Sequence, residues 1–256
     1  MLELLIALSV MVMVVGTLAA LSKAVQLSAE YSNGYGTATQ HGRVCLERIS
    51  RTVNEATANE QFPGFLVLAE ETGGWRFPDT LVVWHPQLAP ADPDGLPRFD
   101  ELVIYCPNPA SPGQLLEITA PSDSRQVPAA GDLAAWAAAV ESIRQSSASQ
   151  KIPLTDLLRT ALVADASSAT LRGAVRFESR LRPSQIQWTQ YQNGTLAWED
   201  LPWVQGIYGS QTGLRQAWLR MELQLLPSEG LSGDDPTDQQ ATAFLGSAAV
   251  YYEMHR

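Results

Sequence analysis

The chain has 256 residues, of which 45% are hydrophobic, enough for a sizeable core in one large or two small domains. Its 27 acidic and 17 basic residues give a net charge of −10, which disfavours nucleic-acid binding because that affinity comes mainly from Lys and Arg. The two cysteines, Cys45 and Cys106, are too few for a disulfide-stapled scaffold or a four-thiolate zinc site.

The first predicted element is an apolar helix. No charged residue lies between Glu3 and Lys23, and the 19 intervening residues span about 28 Å as an α-helix, close to the hydrocarbon thickness of a bilayer. A cleaved secretory signal usually has a shorter apolar region that follows basic residues, whereas here an acid precedes the run. The segment therefore predicts a transmembrane helix.

Glu3 is unusual because a carboxylate beside hydrocarbon must stay hydrated, become protonated or find a cation. One interpretation is a carboxylate that rests at the lipid headgroups and is favoured by the helix dipole. The other is a contact kept for a neighbouring subunit, whose free α-amino group neutralises the carboxylate once the helices pack side by side.

Residues 2–8, Leu-Glu-Leu-Leu-Ile-Ala-Leu, resemble the N-terminal segment of type IV pilins and type II secretion pseudopilins. In that family a basic leader ending in Gly precedes Phe-Thr-Leu-x-Glu and a run such as Leu-Ile-Ala-Leu. The resemblance implies that Glu3 is the family's glutamate that aligns incoming subunits. It also implies cleavage by prepilin peptidase and methylation of the new N-terminus. The sequence starts at Met1 without these leader residues, and we expect them to be encoded upstream.

The next predicted element continues the helix over residues 24–60, loosened at the Asn-Gly-Tyr-Gly of residues 33–36. Within it Leu46, Ile49, Val53 and Ala56 recur at spacings of three and four, which predicts an amphipathic face that packs on a sheet. The basic side chains of this stretch are predicted to form a solvated face: Arg43, Arg48 and Arg51.

Short β-like runs separated by Gly and Pro follow, and they predict antiparallel strands at residues 65–68, 81–85, 101–106 and 115–119. The Pro-rich stretches 86–97 and 107–112 are predicted to be loops, because proline cannot donate to a ladder. Helices are predicted over 131–145 and 153–164.

Residues 185–198 alternate around Asn193-Gly194 and predict a β-hairpin with a type I′ turn, with Ile186 and Trp188 on one face. Strands at 217–225 and 248–253 complete the predicted sheet, and 228–240 are predicted to be a surface loop. Within the pilin-like group, the large head, the 101–104 strand and this hairpin most resemble a J-type minor pseudopilin.

The predicted fold class is α+β: a long N-terminal helix, with a transmembrane half and an amphipathic half, packed on an antiparallel β-sheet head. The predicted domains are a transmembrane helix at 1–23, a continuing amphipathic helix at 24–60 and an extracytoplasmic β-rich head at 61–256.

Candidate ligand-binding residues are sparse. In an oxidising compartment Cys45 and Cys106 form either one bridge or two separately buried thiols. One acidic cluster loosely offers calcium ligands, although its spacing and Pro93 depart from an EF-hand and favour turn chemistry. Its members are Asp92, Asp94, Asp100 and Glu101. A second acidic loop contains Asp234, Asp235 and Asp238.

No catalytic constellation is recognisable, so the chain is not predicted to be an enzyme and no cofactor is predicted. The histidines, His41, His85 and His255, lack the spacing of a metal site. Aromatic residues crowd one Gly- and Pro-rich region and are predicted to be mostly core, with a minority at an interface. They are Trp198, Trp203, Tyr208 and Trp218.

These patterns favour a minor pilin-like subunit of a type II secretion or type IV pilus-type filament. Its partners would be other pilin-like subunits, the inner membrane and prepilin peptidase, with the head in the periplasm. The alternative is a membrane-tethered module that uses its Trp-rich loops to bind a glycan or a secreted substrate. An anchored hydrolase has no residue set to support it.

Overall fold

The computed structural model describes residues 2–164, 169–203, 211–227 and 241–256. Within these ranges the protein has three α-helices and ten strands, which confirms the predicted α+β class with a long N-terminal helix. The helices are α1 (Leu2–Asn54), α2 (Leu133–Gln145) and α3 (Gln185–Gln192).

The strands form three antiparallel sheets among the described residues. The five-stranded sheet has the order β1-β2-β3-β4-β5, from Phe65–Thr72, Trp75–Trp84, Leu102–Asn108, Ser111–Thr119 and Gln150–Thr155. The three-stranded sheet has the order β10-β9-β8, from Thr242–His255, Thr212–Leu225 and Val175–Arg182. The hairpin β6-β7 is formed by Thr160–Ala164 and Ala169–Gly173.

The five-stranded sheet is covered on both faces, because its buried side chains alternate between two core clusters. On β2 and β3, Leu81 and Tyr105 point into the cluster shared with α1 and the three-stranded sheet. Val82 and Ile104 point into the other cluster, which α2 closes with Trp136. The C-terminal third of α1 therefore lies in the layer between the two larger sheets, whereas α2 lies on the outside.

Helix α1 runs without interruption through residues 33–36, where a loosening of the helix was predicted. Gly34 is needed there for close packing, because a Cβ at this position would collide with the backbone carbonyl of Pro227. At Gly42 a Cβ would lie 2.6 Å from the ring of Phe244 on β10. The glycines thus permit close approach to the head, and the intrahelical hydrogen bonds of a long helix outweigh their modest propensity cost.

The hairpin predicted at residues 185–198 is wrong, because Gln185–Gln192 form α3. Ser184 is its N-cap, and its side chain accepts a hydrogen bond from the backbone N–H of Gln187, whose own side chain returns to the N-cap. Asn193 ends the helix, followed by Gly194 with a φ of 72°. The Asn-Gly pair therefore terminates a helix instead of connecting two strands.

Two other predictions are also wrong. The segment predicted as a helix over 153–164 is divided between β5 and β6. Pro107 and Pro112 lie inside β3 and β4, and Pro107 pairs with Leu115 beside a bulge. Proline is tolerated there because the pairing of β3 with β2 ends at Tyr105, so no partner on that side needs its N–H.

Candidate functional site

The most unusual surface of the protein is the N-terminal part of α1, residues 2–22, which we call the apolar segment. Its large hydrophobic side chains are at least half exposed, from 50% at Val14 to 75% at Leu4. The six consecutive residues from Val10 to Val15 are all exposed, so every side of the helix presents apolar atoms. A helix that is apolar all round needs to be buried, in a protein core or in a membrane.

Two polar side chains of the apolar segment are satisfied within the helix itself. The Ser9 hydroxyl donates to the Ile6 carbonyl at 2.8 Å, and the Thr17 hydroxyl donates to the Val14 carbonyl at 2.9 Å. Polar groups inside a bilayer need such internal hydrogen bonds, because the hydrocarbon core contains no water to bond them. The carboxylate of Glu3, in contrast, is exposed and has no hydrogen-bond or ion-pair partner in the part of the chain that the structure describes.

The apolar segment meets the requirements of a single membrane span. Among the described residues, α1 is the one helix long and apolar enough to cross a bilayer, and its most apolar 18-residue window is entirely unburied. Lys23 ends the uncharged run. Between Lys23 and the first close contact with the head at Gly34, about 16 Å of exposed helix separates the two parts.

The helix is held firmly where it enters the head. Arg48 forms a bidentate ion pair with Glu117 on β4, with Nε–Oε2 and Nη2–Oε1 distances of 2.6 and 2.7 Å. One turn on, the hydroxyl of Tyr105 on β3 donates to the Thr52 hydroxyl at 2.8 Å. Burial raises the pKa of Tyr105, so its hydroxyl keeps this proton at neutral pH. These contacts fix the rotation of the C-terminal part of α1 against the head.

Arg48 and Glu117 were not predicted to interact, and Arg48 was instead expected to be solvated. Its side chain is 53% exposed, whereas that of Glu117 is only 7% exposed. A signal did exist in the sequence, because Glu117 interrupts the apolar run of β4 with a single acid. A lone carboxylate at a core position requires a cation, although the sequence does not identify which one.

The two cysteines lie in different parts of the core and are both free thiols. Cys45 lies on the buried face of α1, in the core cluster between the two larger sheets, and its thiol donates to the Leu154 carbonyl at 3.5 Å. Cys106 is in the cluster on the opposite face of the five-stranded sheet. Burial raises the pKa of each thiol to about 11. The structure therefore places two separately buried thiols.

The acidic residues considered for calcium mainly organise their own loop. The Glu101 carboxylate accepts from the backbone N–H groups of Ala91 and Arg98, at 2.6 and 2.9 Å, and from the Trp84 indole at 3.2 Å. Asp92 accepts weakly from the backbone N–H of Asp94. No three His, Cys, Asp or Glu side chains converge as metal ligands within residues 2–164, 169–203, 211–227 and 241–256. The loop with Asp234, Asp235 and Asp238 lies outside these ranges.

The histidines are spread over the head. His41 hydrogen-bonds Thr155 at 3.1 Å, and His85 lies 3.3 Å from the carboxylate of Glu55. His255 ends β10 on the surface.

Most of the crowded aromatic rings are core. Trp198 and Trp203 are 1% and 4% exposed and pack against each other with ring centroids 4.7 Å apart. Trp188 and Tyr191 of α3 join this cluster. Trp218 lies on the outer face of the three-stranded sheet beneath the guanidinium of Arg180, and Tyr208 is outside the described residues. The buried rings are not available as stacking platforms for a ligand.

Comparisons with protein-family models, with curated proteins and with solved structures find no match for this chain.

Proposed function

We propose that this protein is a pilin-like subunit, of the minor pseudopilin kind, of a type II secretion or type IV pilus-type filament. The observation that carries the proposal is the apolar segment of α1, exposed on all sides and headed by the single carboxylate of Glu3. The resemblance of residues 2–8 to pilin N-termini supports the same conclusion.

The apolar segment is suited to two successive environments, the lipid bilayer before assembly and the helices of neighbouring subunits after it. Before assembly, lipid covers the exposed apolar side chains, with Lys23 near the opposite boundary of the bilayer. During assembly, the helices of neighbouring subunits replace the lipid. Glu3 then needs a cation, and the α-amino group of a neighbouring subunit supplies one at the right end of the helix. The proposed location is the inner membrane, with the head on the extracytoplasmic side.

The contacts of α1 with the head support this role. In a filament, the packing of the helices sets the positions of the heads only if each helix is rigidly joined to its own head. The Arg48–Glu117 ion pair and the Tyr105–Thr52 hydrogen bond provide such a rigid connection. Under this proposal the chain acts by helix packing and has no catalytic role.

The test uses the gene with its upstream leader, co-expressed with prepilin peptidase and the partner subunits of its own secretion or pilus machine. We expect the product to be shortened by the peptidase and to enter the sheared filament fraction. Glu3→Gln should lower incorporation at least about tenfold, because the mutant loses the charge pair that guides docking. Membrane fractionation should be unchanged, since glutamine leaves the apolar run intact.

Glu30→Gln is the matched control, because Glu30 is an exposed carboxylate on the same helix outside the apolar segment. It should be incorporated as well as the unmodified protein. Incorporation of Glu3→Gln at the level of Glu30→Gln, or a product that the peptidase does not shorten, would refute the proposal.

The alternative, a tethered module for a glycan or a secreted substrate, was based on the Trp-rich region. Burial of Trp198 and Trp203 removes two of its candidate stacking rings. A glycan array probed with the full chain in detergent distinguishes the two functions, because only the binding module predicts a saturable glycan signal.

A further inference from the structure

The free edge of β8 borders an open groove in the head. The groove has a volume of about 650 Å³ and lies between β8 and the β1–β2 hairpin. Its apolar lining includes Val67 of β1, Phe77 and Pro78 of β2, and Val175 of β8. A groove of this size accommodates a small ligand or a short stretch of extended polypeptide.

The backbone of β8 presents unused hydrogen-bonding groups to this groove. Ala174, just before β8, accepts from the N–H of Gln224 and therefore points towards β9. Because alternate residues of a strand point to opposite edges, the N–H and C=O groups of Val175, Phe177 and Ser179 point away from β9. These three residues line the groove, and no strand in the described parts of the chain pairs with them there.

Two other edge strands of the larger sheets, β10 and β5, are protected. At the opposite edge of the three-stranded sheet, α1 packs along β10, and Asn54 accepts a hydrogen bond from the Ala249 N–H at 3.4 Å. The edge strand β5 contains Pro153, which cannot donate. β8 has neither form of protection over the residues that face the groove.

The wall of the groove opposite β8 is rigid. Arg172 of β7 lies over the ring of Phe77 at 4.7 Å and forms an ion pair with buried Asp79 at 2.7 Å. Desolvation raises the pKa of Asp79, and the Arg172 guanidinium opposes that shift. This wall is therefore held in place before any ligand enters.

The charges around the groove select the type of ligand. Arg76 and Arg176 are exposed at its rim, and neither forms an ion pair with another described residue. The solvent face of β8 carries Arg176, Arg180 and Arg182 against the single acid Glu178. A second copy of β8, paired antiparallel about Phe177, would set Arg176 opposite Glu178 but would place no acid opposite Arg180 or Arg182. An acidic strand complements the same surface.

We propose that β8 is a strand-addition site for an extended segment of a different protein, in which acidic residues alternate with apolar ones. The backbone of the segment pairs with Val175, Phe177 and Ser179. Its apolar side chains face the groove floor, and its acidic side chains face the arginines. This site goes beyond the proposed filament function and does not depend on it.

The test measures binding of a fluorescein-labelled eight-residue peptide of alternating valine and glutamate, a length equal to that of β8, to the full chain in detergent micelles. Fluorescence anisotropy should show saturable binding. The matched peptide of alternating valine and lysine should bind at least about tenfold more weakly. Hydrogen exchange should show new protection at the amides of Val175, Phe177 and Ser179.

Two variants locate the site. Arg176→Glu should weaken binding of the glutamate peptide about fivefold, whereas Arg51→Glu, the same charge change on the exposed side of α1, should leave it unchanged. Ser179→Pro removes an edge N–H without disturbing the ladder with β9 and should abolish the protection.

An alternative role for the arginines is to keep the edge strand from aggregating, which predicts no saturable peptide binding. The absence of binding would therefore overturn the proposal. Equal binding of the lysine peptide, or equal affinities of the Arg176→Glu and Arg51→Glu proteins, would overturn it as well. If Ser179→Pro does not fold, Arg176→Glu remains decisive because its side chain is exposed.

Discussion

Removing Arg48 from its ion pair with Glu117 should destabilise the protein more than removing the charge of Glu117. Removing the guanidinium with Arg48→Met keeps the aliphatic stem but leaves the nearly buried Glu117 carboxylate without its cation. Removing the partner of a fully buried charge costs about 3–5 kcal/mol. Because the Arg48 side chain is 53% exposed and water reaches this side of the pair, we expect about 2 kcal/mol.

The reverse change should cost less. Glu117→Gln keeps the shape and one acceptor oxygen, and it leaves a guanidinium that is already more than half hydrated. We expect a loss of about 0.5–1 kcal/mol, within the range for a hydrogen bond. The double variant has no buried charge, so it should be about 1 kcal/mol more stable than Arg48→Met alone.

The assay is guanidinium unfolding of the full chain in detergent micelles at pH 7, followed by the fluorescence of buried tryptophans such as Trp84 and Trp136. All four proteins should show the same slope and differ in midpoint. Destabilisation by Glu117→Gln equal to or greater than that by Arg48→Met would contradict the expected asymmetry. A double variant less stable than Arg48→Met would contradict it as well.

Two further predictions concern the head. Gly42→Ala should lower the free energy of unfolding by about 1–3 kcal/mol, because the new Cβ meets the Phe244 ring at 2.6 Å. Gly36→Ala, with nothing within 4 Å, should raise it by up to about 1 kcal/mol, and equal effects in thermal melts would contradict the packing argument. Burial raises the pKa of Cys45 and Cys106 from 9.0 to about 11, so the unfolded chain loses these protons first as pH increases. The free energy of unfolding should therefore fall between about pH 9 and pH 11. Both thiols should resist alkylation by iodoacetamide at pH 8 until the chain unfolds. Alkylation of either thiol in the folded protein would show that it is not buried.

Several elements could be predicted because their signals are local. The apolar residues of the first half of α1 follow one another in the sequence. The predicted strands 81–85 and 101–106 are short apolar runs bounded by Pro or polar turns. Helix α2 has an Asp132 cap that accepts from Ala135 N–H and a face formed by Trp136 and Val140. In each case a few neighbouring residues carry the information.

The failed predictions occur where one local pattern is compatible with two structures. Residues 185–189 alternate polar and apolar residues, but in α3 only Trp188 is buried, whereas Ile186 is 73% exposed. The packing of Trp188 against Trp198 and Trp203 stabilises the helical conformation, and these contacts are not visible in the local sequence pattern. Similarly, β5 is a strand because β4 pairs with it, and β6 because β7 does. Pairing partners of this kind outweigh weak local propensity.

The order of residues alone establishes a helix long and apolar enough to span a bilayer, with Glu3 at its start, because hydrophobicity and charge are properties of adjacent residues. How that helix is attached to the head, and where β8 is left unpaired, follows from contacts between distant parts of the chain. Arg48 and Glu117 are 69 positions apart, and the groove joins β1 and β2 with β8. These arrangements depend on how the two sheets pack around α1, and that packing depends on side chains from the whole chain.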